Sequence, residues 1–203
     1  MYILSALFET LIQLFVFSLL PFIGWYFTRK KDESFGRWIG LKRPDITDEK
    51  KLILVLIITL IIIPLLHLMV LPAFLENSDL SSFQFKGSGI TMILPILLYA
   101  FIQTGLAEEI FFRGFLLKRI LVKLGFAAGN LIQALIFGLL HGFIFYGVTG
   151  LQGAAIITLI IAVDGWFMGY LNEKLASGSI VPSWIVHGLS NLAVSLMSAF
   201  NIL

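Results

Sequence analysis

Cysteine is absent from this 203-residue chain. Disulfides, thiolate metal sites and thiol nucleophiles are therefore excluded. Charge is also scarce. Asp, Glu, Lys and Arg make up 13% of the residues, about half the roughly 25% of an ordinary soluble domain. A net charge of +2 is too small to imply a nucleic-acid partner. What fills the chain instead is apolar: 59% hydrophobic residues, with a mean hydropathy of +0.98. The expected class is an all-α polytopic membrane protein, one domain over 1–203, with the lipid bilayer as its solvent. The first apolar run has no basic leader stretch and no small-residue cleavage site, so it reads as a retained membrane helix. The last residues, SLMSAFNIL, carry no lipidation or retrieval signal.

A membrane span needs about 20 apolar residues. Six runs qualify, near 3–28, 52–75, 90–121, 127–146, 151–172 and 180–202, and re-entrant or interfacial helices would add to them. Eight of the fourteen basic residues fall between the first two runs: Arg29, Lys30, Lys31, Arg37, Lys42, Arg43, Lys50 and Lys51. Lys118, Arg119 and Lys123 follow the third run, and Lys174 follows the fifth. The positive-inside rule then places the first, third and fifth loops in the cytoplasm and both termini outside. In the first loop, FGRWIGLKRP mixes aromatic and basic residues, so it reads either as an interfacial element along the headgroups or as a plain loop. Pro44, Asp45, Thr47 and Asp48 supply turn and N-cap chemistry ahead of the second span.

Against this background, charged groups inside apolar runs stand out, because each costs roughly 2.5–3.5 kcal/mol at a helix centre. The third run holds Glu108, Glu109 and Arg113 in EEIFFR. Glu109 and Arg113 are four residues apart and share a helix face, so they can form an ion pair. Glu108 is rotated about 100° away and is left as a candidate general base, a role suited to a carboxylate in a low-dielectric site. The fourth run carries Phe137 and His141 one turn apart, and the sixth carries His187 and Asn191 at the same spacing. A histidine beside an amide can donate hydrogen bonds to a developing oxyanion. Asp164 is expected either to pair with Arg113 or to line the cavity. Asn130 and Gln133 are expected to hydrogen-bond between helices, and Gly138 and Gly142 to let helices approach closely. Glu9 is expected near the outer interface, and His67 in a structural or interfacial role.

These motifs, EEIFFR (Glu108–Arg113), FGLLH (Phe137–His141) and HGLSN (His187–Asn191), resemble the EExxxR, FxxxH and HxxxN of the type II CAAX prenyl protease family, also called the CPBP or Abi family of intramembrane proteases. The resemblance covers roughly 90–195, expected to be the catalytic core, with the site between the third, fourth and sixth helices. It implies an endopeptidase acting on a membrane-associated peptide or lipid-modified protein. Glu108 with His141 would activate water, His187 and Asn191 would form the oxyanion hole, and Glu109, Arg113 and Phe137 would support them. A site without cofactor is the favoured reading; a zinc site on Glu108, His141 and His187 is the alternative. The functional alternative is a non-proteolytic bacteriocin-immunity or scaffold protein of the same family. In a prokaryote the chain would lie in the plasma membrane.

Overall fold

The computed structural model describes residues 2–70 and 84–202. Among these residues every regular element is helical. Helix α1 is Tyr2–Thr28, a short α2 is Phe35–Ile39, and α3 runs over 49–70. The next stretch is one hydrogen-bonded helical path from Gly89 to Leu175, but its backbone breaks twice. Gly125 (φ 75°, ψ 173°) and Gly150 (φ 65°, ψ −173°) leave helical geometry, in a positive-φ region open to glycine at little cost. The path therefore divides into α4 (93–124), α5 (126–149) and α6 (151–175). Helix α7, Val181–Ala199, begins with Pro182 in its first turn, where a missing N–H costs nothing. The last part of the second expected span, 71–75, lies outside the described residues, as does the side chain of His67.

Among the described residues, two continuous helical paths are long and apolar enough to cross a membrane, Ile3–Thr28 and Gly89–Leu175. The most apolar stretch of α1 is only 6% buried within the protein. Leu4, Phe8, Phe15 and Phe27 on it are 65–80% exposed, a surface that fits lipid and not water. Glu9 is exposed on the same helix.

Helix packing relies on small residues and polar contacts, as expected where lipid removes the hydrophobic drive for association. Gly138 and Gly142 of α5 lie against Thr158, Ala154 and Ala162 of α6, so close that a Cβ at Gly138 would collide with the Thr158 carbonyl. Asn130 Nδ2 donates to the Trp166 carbonyl (2.9 Å), and Gln133 Nε2 donates to that of Gly165 (2.9 Å). Both amides cross from α5 to α6, as their positions predict.

The basic loops meet at one end of the bundle. Lys118 at the end of α4 pairs with Glu173 (2.6 Å) and donates to the Gly178 carbonyl (2.8 Å). The segment after α2 is fastened to the α6–α7 connection: Ile180 N donates to the Gly40 carbonyl (2.8 Å), Ser179 Oγ to that of Lys42 (2.6 Å), and Thr47 Oγ1 to that of Lys174 (2.9 Å). Helix α2 is anchored to the bundle through Trp38 and Ile39, which are 7% and 1% exposed and pack with Ile110 of α4 and with Ile180.

Asp48 caps α3, its carboxylate accepting from Lys51 N (3.0 Å) and pairing with Lys51 Nζ (3.1 Å). These bonds, led by that to the Lys51 backbone, hold its carboxyl below the usual range. The contribution to stability is therefore complete above the ordinary carboxylate value and is lost as pH falls through the lowered one. The thermal midpoint of wild type in detergent should fall more steeply below about pH 4 than that of Asp48→Asn, which keeps a capping oxygen but does not titrate. Gly138→Leu should destabilise by about 1–3 kcal/mol through overpacking, while a change at lipid-facing Leu139 should shift the same melt little.

Candidate active site

Helix α4 is wound in an unusual way around its charged residues. Leu98–Leu106 and Ile110–Leu117 form π-helix, with a short α turn, Ala107–Glu109, between them. Such windings cluster at functional sites because the extra residue per turn re-aims side chains. Here they turn the Glu109 carboxylate fully into the protein and leave Glu108 partly accessible, at 13% of its side chain.

Glu109 is the hub. Its Oε1 accepts from Arg113 Nη1 at 2.8 Å, and both side chains are 0% exposed. The same oxygen lies 3.2 Å from His187 Nδ1, and Oε2 accepts from Ser183 Oγ. Ser183 Oγ in turn accepts from Asn172 Nδ2 (2.6 Å). One carboxylate thus ties α4 to α7, and through Ser183 to the end of α6. A carboxylate can only accept, so the His187 proton on this side is on Nδ1. The far nitrogen, Nε2, then faces Glu108 Oε2 at 3.8 Å. That Glu108 oxygen is buried and makes no hydrogen bond within the protein.

Phe137 forms the floor. Its ring stacks edge-on with His141 (centroids 4.5 Å) and lies 6.2 Å from the His187 ring. The Arg113 guanidinium covers its face at 4.2 Å, a cation–π contact that compensates part of the desolvation of the charge. His141 Nδ1 donates to the Phe137 carbonyl at 2.9 Å, which leaves its Nε2 as an acceptor.

The structure thus gathers Glu108, Glu109 and Arg113 of α4, Phe137 and His141 of α5, and His187 of α7. Asn191 joins through Thr104, whose Oγ1 accepts from its Nδ2 at 2.8 Å. Glu108 approaches His187, while the polar partner of His141 is its own helix carbonyl. Asp164 does not ion-pair with Arg113; its Oδ1 is buried and without a hydrogen-bond partner, as are Arg113 Nε and Nη2. And among the described residues no group of three or more acidic or histidine side chains is placed to hold a metal ion. Each histidine engages Nδ1 within the protein, His141 with the Phe137 carbonyl and His187 with Glu109, a pattern that metal-bound and metal-free histidines share. Ser183, Asn172 and Thr104 were missed by motif spacing. Ser183 stands one turn before His187 and Thr104 one turn before Glu108, so helical register alone marks both.

Residues 90–193 match the family of type II CAAX prenyl endopeptidase Rce1-like proteins, just over half of the chain. The chain belongs to this family. Rce1-like proteins are membrane-embedded peptidases, and the apolar helices described above are in keeping with that setting. No curated protein and no solved structure matches the chain.

The buried pair sets a stability test. Removing one partner strands the other charge, at a cost of about 3–5 kcal/mol. Arg113→Met should lower thermal stability in detergent by that order, and Glu109→Gln/Arg113→Met should recover part of the loss.

Proposed function

We propose that the chain is an intramembrane endopeptidase that hydrolyses a peptide bond in a membrane-associated peptide or lipid-modified protein, with Glu108 activating the water. The observation that carries this reading is the division of labour between adjacent glutamates. Glu109 is held by Arg113, Ser183 and His187, while Glu108 has one oxygen unpartnered, 3.8 Å from His187 Nε2. That separation is beyond a direct hydrogen bond, so the Glu108 oxygen is left to bind a water.

In the reaction, the water gives a proton to Glu108, and its oxygen attacks the carbonyl carbon. His141, with Nδ1 committed to the Phe137 carbonyl, accepts at Nε2 from the same water and helps to aim it. The carbonyl oxygen becomes an oxyanion and is met by the Nε2–H of doubly protonated His187 and by the Nδ2–H of Asn191, a preorganised pair of donors. The intermediate collapses as Glu108 returns its proton to the leaving nitrogen, which frees the amine and a new carboxylic acid, and the acid then loses its proton to the released amine. Arg113 and Glu109 stay charged throughout and fix the His187 ring. Glu108 lies ten residues before Lys118 on the same helix, so the cut falls nearer the basic end of the bundle, which the positive-inside rule makes cytoplasmic.

The test is cleavage of a quenched, farnesylated peptide ending in a CAAX sequence, beside unprenylated peptides, by purified protein in liposomes with and without chelator. Glu108→Gln should lose at least about 10²-fold in kcat, on the scale of a lost general base, with an unchanged thermal midpoint, and chelator should have no effect. Cleavage by folded Glu108→Gln at the wild-type rate would overturn the mechanism, and no cleavage of any of these peptides by folded wild type would favour the binding-only reading, an immunity or scaffold protein.

A further inference from the structure

We propose that Thr104 is a positioning residue that selects the donor face of the Asn191 amide, and that the π winding of α4 places it there. This rests on the proposed role of Asn191 at the oxyanion. Thr104 Oγ1 donates to the Tyr99 carbonyl, five residues back, at 2.8 Å. That spacing is the π register; in an α-helix the same hydroxyl would meet the carbonyl four residues back. With its proton committed, the hydroxyl offers only lone pairs. Asn191 Nδ2 approaches those lone pairs at 2.8 Å.

The consequence is an orientation. An asparagine amide can turn over and exchange its donor NH₂ for its acceptor oxygen. Turned over, Asn191 would present a carbonyl oxygen to the oxyanion, which repels. An acceptor-only Thr104 holds Nδ2 in place, with its second hydrogen free for the substrate.

The same winding clamps α7 in register. Trp184 Nε1 donates to the Phe101 carbonyl at 2.5 Å, and Gly188 lies flat on the Phe101 ring, where any Cβ would collide. Trp184, Gly188 and Asn191 are spaced i, i+4 and i+7, so one face of α7 docks on the π segment. On α4, Thr104 and Glu108 are one turn apart. The segment thus aligns the amide with the proposed base.

The test compares Thr104→Val, Thr104→Ser, Asn191→Ala and Thr104→Val/Asn191→Ala. Each is assayed in liposomes on the farnesylated CAAX peptide, with thermal midpoint as the folding control. Thr104→Val keeps the shape but removes the hydroxyl, and should lower kcat about tenfold with KM within about twofold, less than the roughly 10²–10³ of losing an oxyanion donor outright. Thr104→Ser should restore most of the rate. In the Asn191→Ala background, Thr104→Val should add nothing, because the two act as a unit. If Thr104→Val does not fold, Thr104→Ala replaces it with the same expected loss. Independently of turnover, the Asn191 side-chain amide in ¹⁵N-labelled wild type should show two resolved protons, one protected from exchange, and Thr104→Val should lose that protection. Wild-type kcat and amide protection in Thr104→Val overturn the proposal, as does a further rate loss on adding Thr104→Val to Asn191→Ala. Wild-type kcat in Asn191→Ala instead overturns the reading of Asn191 itself.

Discussion

The buried carboxylate of Glu109 is the constraint on which the other residues of the cluster depend. Removed from solvent, it must be satisfied by donors or be excluded from the fold. The donors come from distant parts of the sequence: Arg113 from its own helix, and Ser183 and His187 from α7, with Asn172 of α6 behind Ser183. Each donor is positioned by what it satisfies. The Arg113 guanidinium lies flat over Phe137, and Phe137 in turn flanks both histidines. A group that is inert in the proposed reaction therefore determines where the reacting groups stand. Glu108, its neighbour in sequence, is left with an unpartnered oxygen, the condition a base requires.

Holding such a cluster inside lipid needs close helix contact without strain. Small residues supply the contact between α5 and α6, where Gly138 and Gly142 meet Thr158 and Ala154. π windings supply the aim along α4. The loops close the same end of the molecule: Lys118 with Glu173, and the strand of chain after α2 on the α6–α7 connection. The segments after α1 and at the end of α4, which carry eleven of the fourteen basic residues, thus share one end with the α6–α7 connection, the arrangement that the positive-inside rule requires of loops on one side of a membrane.

Much of this was legible in the sequence because membrane helices expose their logic locally. The Glu109–Arg113 pair follows from a spacing of four, the Asn130 and Gln133 contacts from polar groups in apolar runs, and the helical runs from length alone. Tertiary choices were not legible. Spacing shows that His187 and Asn191 share a face, but not that His187 turns to Glu109 while Asn191 turns to Thr104. The aromatic and basic residues of FGRWIGLKRP suit an interface, and nothing local reveals that Trp38 and Ile39 are buried with Ile110 of α4 and Ile180. Asp164 invited either pairing with Arg113 or a place along the cavity, and spacing alone does not reveal that its Oδ1 is buried without a hydrogen-bond partner. The family's motifs cover the groups proposed to react, while Ser183, Asn172 and Thr104, which hold them, lie between motifs.

The account's central claim is that adjacent glutamates have opposite roles, one holding the site and one moving a proton. The most direct test is peptide hydrolysis in ¹⁸O-water by wild type, Glu108→Gln and Glu109→Gln, read by mass spectrometry alongside thermal midpoint. Wild type should place one ¹⁸O in the new carboxyl terminus, Glu108→Gln should fold normally and release no labelled product, and Glu109→Gln should lose stability first. Labelled product from Glu108→Gln at the wild-type rate would contradict the claim.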